Sequence, residues 1–211
     1  MKPEPLPRLM LVTDRRRTRA RDMAAAVAEA VAGGVGIVQV REKDLPPEAL
    51  ASLVRRIVER VPPETRVIVN THASVAMETG CGLHLPADAP WSGAAHTVLI
   101  GRSMHHPDEA WVAAGESLAY VIAGNIYTTE SKPGKPAAGV DLISASVPRL
   151  GPVPLYAIGG ITIPRVPDVV HAGAYGVAVC GAILGARDPR RVAQGFALAL
   201  AVAKTPGRER N

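Results

Sequence analysis

Eight short apolar runs alternate with alanine-rich helical stretches along the whole chain, and this alternation limits the folds open to it. The runs predict strands near 9–13, 36–41, 66–69, 82–85, 97–101, 119–123, 154–158 and 176–180. Helical patterns fill 20–33, 46–61, 73–79, 107–116, 140–148, 163–173 and 188–203, several opened by Pro, Asp or Ser as a helix start requires. One crossover departs from the pattern: Pro86 to His96 holds prolines and a glycine and reads as a loop. Eight strands at a spacing of roughly twenty to thirty residues is the arithmetic of a closed barrel. A doubly wound open sheet uses the same alternation but places a glycine-rich phosphate loop in its first βα turn. Here that turn is Leu11-Val12-Thr13-Asp14-Arg15-Arg16, without glycine. The expected architecture is therefore α/β, a single-domain (β/α)8 TIM barrel over residues 1–211, short for its class, with 1–8 and 205–211 frayed.

Composition agrees with that architecture. The chain is 47% hydrophobic but has one Phe, two Trp and four Tyr, so its core must be aliphatic, as parallel strands covered by helices require. The net charge of +5 resides in clusters such as Arg15-Arg16-Arg17, Arg55-Arg56 and Arg190-Arg191. With little aromatic surface to stack bases and no nucleic-acid motif, these read as solvated helix faces with a bias toward small anions, and no nucleic-acid partner is expected. Two cysteines, Cys81 and Cys180, make neither a disulfide framework nor a four-ligand zinc site. No basic-then-apolar leader and no membrane-length apolar run is read, so the expectation is a soluble cytoplasmic protein.

In a barrel the working residues follow the strands. After the second come Gln39, Arg41 and Lys43 at alternating positions, which a strand projects to one face, where they meet either a ligand anion or an ion-pair partner such as Glu42 or Asp44. The third ends at Asn70-Thr71-His72, the fourth carries His84, and the fifth ends in Gly101-Arg102-Ser103-Met104-His105-His106. The sixth runs into Gly124-Asn125-Ile126-Tyr127 and then Thr128 to Lys135, a hydroxyl-, lysine- and glycine-rich loop that reads as an anion-binding flap or as a solvated loop. The last two strands are tipped with glycine, Leu155-Tyr156-Ala157-Ile158-Gly159-Gly160-Ile161 and Gly176-Val177-Ala178-Val179-Cys180-Gly181-Ala182-Ile183. Such tips either cradle a phosphate with backbone N–H groups or simply turn tightly into helices. The histidines have no metal-ligand spacing, and no metal site is expected from them.

Leu11 to Asp14, Val38 to Lys43, Ile68 to Asn70, His84-Leu85, Thr129 to Lys132, Ala157 to Ile161 and Gly176 to Ile183 together resemble, in order through nearly the whole chain, the thiamine phosphate synthase and TenI superfamily. The resemblance implies a (β/α)8 barrel, vitamin B1 metabolism and a small-molecule thiazole phosphate partner. It places the phosphate on Gly159, Gly160, Cys180 and Gly181, and matches Gln39, Arg41, Asn70, Ser103, Thr129, Ser131 and Lys132 to substrate contacts of the synthase branch, with Lys43 in the same polar row. That branch uses Mg²⁺ on two aspartates. Their positions here hold Thr71 and Ala89, with Asp88 beside the latter. Local sequence at His84-Leu85-Pro86, Ile100 to His105 and Gly124 to Gly134 resembles the TenI branch, whose tautomerases carry a histidine base where this chain has Asn125. The expectation is a thiazole tautomerase-like isomerase acting on a carboxythiazole phosphate without metal or cofactor, with His84, His105 and Asn125 as the catalytic candidates. The alternatives are a thiamine phosphate synthase, which alone would need Mg²⁺, and a non-catalytic thiazole phosphate binder; homo-oligomerisation is left open.

Overall fold

The computed structural model describes residues 5–19, 21–90, 99–129, 134 and 136–203, Trp111 by its backbone alone. Eight parallel strands pair in sequence order and close on themselves, the last beside the first. They are β1 (Leu9–Val12), β2 (Ile37–Val40), β3 (Arg66–Asn70), β4 (Gly82–Leu85), β5 (Ile100–Met104), β6 (Tyr120–Gly124), β7 (Leu155–Ile158) and β8 (Gly176–Val179). Around them lie α1 (Met23–Ala32), α2 (Pro47–Val58), α3 (Ala73–Thr79), α4 (Glu109–Gly115), α5 (Asp141–Leu150), α6 (Val166–His171), α7 (Gly181–Leu184) and α8 (Pro189–Val202). The expected (β/α)8 barrel is the observed fold.

Local chemistry sets these elements. Asp22 caps α1 by accepting from Ala25 N, and Asp188 caps α8 by accepting from Arg191 N ahead of Pro189. On α2 the residues Leu50, Ala51, Leu53, Val54 and Ile57 form one buried stripe against the sheet. Outward-facing strand residues such as Leu11, Val38, Val40, Val69, Val121 and Val177 meet these stripes in the main core. A second cluster fills the barrel itself: Met10, Val12, Ile37, Ile68, Tyr120, Ile122, Tyr156 and Ala178. Its two large rings need small neighbours. A Cβ on Gly101 would sit 2.0 Å from Tyr120 Cζ, and one on Gly176 would sit 2.8 Å from Tyr156 Cε1.

Three expectations change. β5 runs Ile100–Met104, past the expected end at 101, because the outward Arg102 finds a buried carboxylate, Glu116; 97 and 98 lie outside the described residues. The four-residue α7 is too short to show a helical period. Residues 5–8 do not fray: the Tyr156 hydroxyl donates to Pro7 O at 2.6 Å, the Tyr175 hydroxyl donates to Leu6 O, and Arg8 Nε donates to Tyr175 O at 2.8 Å. Leu6 also packs on the interior cluster, so this segment closes the N-terminal end of the barrel.

Candidate functional site

At the opposite end, the loops after β1 and β2 are locked together. Thr13 Oγ1 donates to Glu42 Oε1 at 2.6 Å and accepts from Arg41 N at 2.9 Å, while Arg15 N donates to Glu42 Oε2 at 3.0 Å. The Arg15 guanidinium reaches Asp44 at 2.7 and 2.8 Å. Glu42 and Asp44 are thus spent on Arg15 and the β1 loop. No carboxylate among the described residues pairs with the half-buried Arg41, whose charge is felt at both His84 and Cys180. Lys43 is exposed beyond it.

Inside the mouth, β2, β4, β5 and β6 contribute a row of polar side chains. His84 is fully buried and stacked on Tyr120, ring centroids 5.6 Å apart. Its Nδ1 lies 3.0 Å from the Tyr120 hydroxyl and its Nε2 2.9 Å from Ser103 Oγ. Burial, reinforced by the charges of Arg41 and Arg102, lowers its pKa to about 3, so the ring is neutral at physiological pH. Gln39, 2% exposed, approaches the Tyr120 phenol without reaching hydrogen-bond geometry, and its Nε2 is a buried donor with no acceptor among the described residues. Such a donor costs stability unless a ligand or water takes it.

The glycine-tipped strands lie beside the β6 loop. Gly159 and Gly160 have φ of +99° and +63°, and a Cβ on either would strike Asn125 or the Tyr127–Thr128 backbone within 3 Å. These glycines therefore make a turn that only glycine tolerates, pressed against the neighbouring loop. They also keep their donors: no backbone acceptor among the described residues takes the N–H of Gly159, Gly160, Gly181 or Ala182. Of the two roles weighed in the sequence, the tight turn is the one observed at Gly159 and Gly160. Arg17 lies over Gly181, its Nη1 3.1 Å from where a Cβ would stand, and Arg165 donates to Gly160 O at 2.6 Å while stacking 4.3 Å over the Tyr127 ring. The Cys180 thiol is pushed up to about 12 by burial and by Asp14, which leaves it protonated and unreactive.

Asn125 is buried, and its Nδ2 donates to Tyr127 O and Pro136 O, both at 3.4 Å, while its carbonyl accepts from Ala138 N at 2.9 Å. It staples the two ends of the β6 loop. His105 is exposed, with Nδ1 donating to Gly124 O. Thr129 is half-buried at the start of the loop; Ser131 and Lys132 lie outside the described residues. His84, Ser103 and Gln39 are thus brought together, whereas Asn125 and His105 belong to the β6 rim. The sequence reading passed over Tyr120, Arg17 and Arg165, whose only signals were their residue types.

The Mg²⁺ of the synthase branch can be tested against the donors present. Asn70 Nδ2 donates to Thr71 Oγ1 at 2.7 Å, and Thr71 itself stands at φ +69°. Across from it the 86–89 turn is held by Arg102, whose Nη1 donates to the carbonyls of Pro86, Ala87 and Ala89 at 3.2, 3.1 and 2.8 Å. The same guanidinium forms a buried two-point pair with Glu116 at 2.7 and 2.8 Å. The carbonyls of this turn face a fixed cation, one carboxylate (Asp88) remains nearby, and no cluster of three metal-binding side chains occurs among the described residues. This donor set does not fit a hard divalent cation that wants carboxylate oxygens.

No helix among the described residues is long and apolar enough to cross a membrane. Two relatives match at nearly full length: the thiamine-phosphate synthase of Mycolicibacterium gilvum is 37% identical over 90% of this chain and 86% of its own, and that of Mycobacterium leprae is 39% identical over 89% and 88%. Among solved structures, the thiamine phosphate pyrophosphorylase of Pyrococcus furiosus superposes with a TM-score of 0.81 at 24% identity over 92% of this chain and 95% of its own, a likeness of fold. These relatives correct the expectation of a tautomerase-like isomerase and favour the synthase alternative. The segments that pointed to the TenI branch are short and local, whereas the similarity to synthases runs through nearly the whole chain. The thiamine monophosphate synthase (TMP-TENI) profile matches residues 9–183, and the chain belongs to that family.

Proposed function

We propose that the chain is a transferase of the thiamine-phosphate synthase type, joining a pyrimidine diphosphate to a thiazole phosphate with release of pyrophosphate. In that reaction a thiazole nitrogen forms a bond to the pyrimidine methylene carbon as the carbon–oxygen bond to the diphosphate breaks, and the electron pair leaves on pyrophosphate. The observation that carries the reading is the mouth's unspent binding capacity among the described residues: four backbone amides at the β7 and β8 tips with no backbone acceptor, the Arg41 guanidinium with no carboxylate partner, and the Gln39 amide with no acceptor. Two anionic substrates suit such a site, one on the glycine floor and one toward Arg41, Lys43 and Ser103. Near-full-length similarity to synthases in two actinobacterial genera supports the choice of reaction.

Since Thr71 and Ala89 stand where the synthase branch has aspartates, no step here is assigned to a metal ion. Charge on the departing pyrophosphate is met by Arg41, Lys43 and the Ser103 hydroxyl. Purified protein supplied with both substrates should release pyrophosphate in step with formation of the coupled product; absence of both after prolonged incubation would overturn the reading.

A further inference from the structure

The polar row through the mouth has a direction. Tyr120 is fully buried, and a buried phenol proton has to find an acceptor. No hydrogen bond joins that phenol to Gln39, whose amide lies close without reaching bonding geometry, so Gln39 does not take the proton. The acceptor at hydrogen-bond distance is His84 Nδ1, 3.0 Å away. A neutral imidazole that accepts at one nitrogen carries its proton on the other. His84 Nε2–H therefore donates to Ser103 Oγ at 2.9 Å, which occupies a lone pair of that oxygen and leaves the serine's own O–H to point elsewhere. Ser103 is half-buried near the end of β5, two residues beyond Gly101, the register partner of His84, so its free direction is toward the mouth.

We propose that Tyr120 and His84 are positioning residues that commit the Ser103 hydroxyl to donating a hydrogen bond to an anionic phosphate oxygen of the substrate. The choice of a diphosphate as that substrate rests on the synthase reading; the direction of the chain does not. The device explains why an ionisable ring is buried without a charge partner. A neutral His84 with its proton held on Nε2 has one hydrogen-bonding state, whereas the opposite tautomer would draw the serine proton inward and present only lone pairs to an anion.

The test has two arms. In ring-¹⁵N-histidine-labelled protein without ligand, assigned among the six histidines with a His84→Gln variant, His84 should show a protonated Nε2 and an unprotonated Nδ1 from pH 5 to 8. A proton on Nδ1 overturns the proposal whatever the enzyme's activity. In the second arm, inorganic pyrophosphate is titrated into wild type, Tyr120→Phe, Ser103→Ala and the double variant. Tyr120→Phe should weaken binding about tenfold and populate the Nδ1–H tautomer, and the same change should have less than a twofold effect once Ser103 is alanine. Equal effects in both backgrounds, or a tautomer unmoved by Tyr120→Phe, refute the coupling. If Tyr120→Phe does not fold, the wild-type tautomer alone decides. Loss of the synthase reading would show separately, as absent product formation with the tautomer intact.

Discussion

The two ends of the barrel interior treat the same kinds of side chain in opposite ways. At the N-terminal end the polar side chains near the axis are consumed among the described residues: the Tyr156 and Tyr175 hydroxyls and the Arg8 guanidinium all donate to main-chain carbonyls, and the Tyr156 and Tyr175 rings meet edge to face at 5.6 Å. At the C-terminal end, among the described residues, the Gln39 Nε2 has no acceptor, Arg41 no carboxylate partner and four tip amides no backbone acceptor. Buried polar groups are ordinarily satisfied, so this imbalance is what the proposed function rests on. Stability resides at the floor, and the cost of binding capacity is borne at the mouth.

Substitutions should separate the two ends. The largest effect tests the boundary, because Arg102 lies near the mouth yet faces outward and holds the 86–89 turn. Arg102→Met strands a buried Glu116 carboxylate and should cost about 3–5 kcal/mol in denaturant unfolding, a floor-like penalty; a loss below ~1 kcal/mol would show the pair to be ornamental. Next comes Gly101→Ala, whose methyl collides with the Tyr120 ring and should cost about 3 kcal/mol. The pH dependence follows. His84 is neutral when folded and takes a proton more readily when unfolded, so stability is fully present above its unfolded pKa of 6.5 and falls as pH drops toward about 3. Between pH 7 and 5 the loss from this group should be about 2 kcal/mol, and His84→Gln should flatten that slope. Tyr156→Phe, at the floor, removes a satisfied hydrogen bond and should cost about 1 kcal/mol with pyrophosphate affinity unchanged. Smallest in stability is Gln39→Met, which replaces the orphaned amide with an apolar side chain of similar size: thermal unfolding should stay within about 0.5 kcal/mol of wild type or rise, while pyrophosphate binding weakens. A clear destabilisation by Gln39→Met would erase the contrast between the ends.

Much of the fold was legible because it depends on short-range patterns. Apolar runs ending at Gly159 and Cys180-Gly181 mark β7 and β8 correctly, and capping residues such as Asp22 and Asp188 open their helices. The far end of β5 was missed because an arginine in a strand looks foreign until Glu116, fourteen positions on, is seen to neutralise it. At the site, the residue types were readable but their partnerships were not. His84 reads as a base from its place after an apolar run; only Tyr120 and Ser103, 36 and 19 residues away, make it a fixed neutral ring. Arg41 and Glu42 invite an ion pair as chain neighbours, yet alternation along the strand sends Glu42 to Thr13 and Arg15 instead. The choice of branch failed because it weighed a few positions, Thr71, Ala89 and the local sequence around β4, β5 and β6, against similarity spread over the whole chain.

The closure of the barrel floor also bears on how the molecule is made. Pro7, Leu6 and Arg8 find their partners in Tyr156, Tyr175 and Leu200, separations of 149, 169 and 192 residues. At ordinary ribosomal speeds those partners emerge roughly 10–40 s later. For that interval the apolar interior has no base, and the nascent β1 has neither β8 beside it nor Tyr156 above it. Final sealing is therefore a late event, and until it occurs only the early βα units can shield the open end.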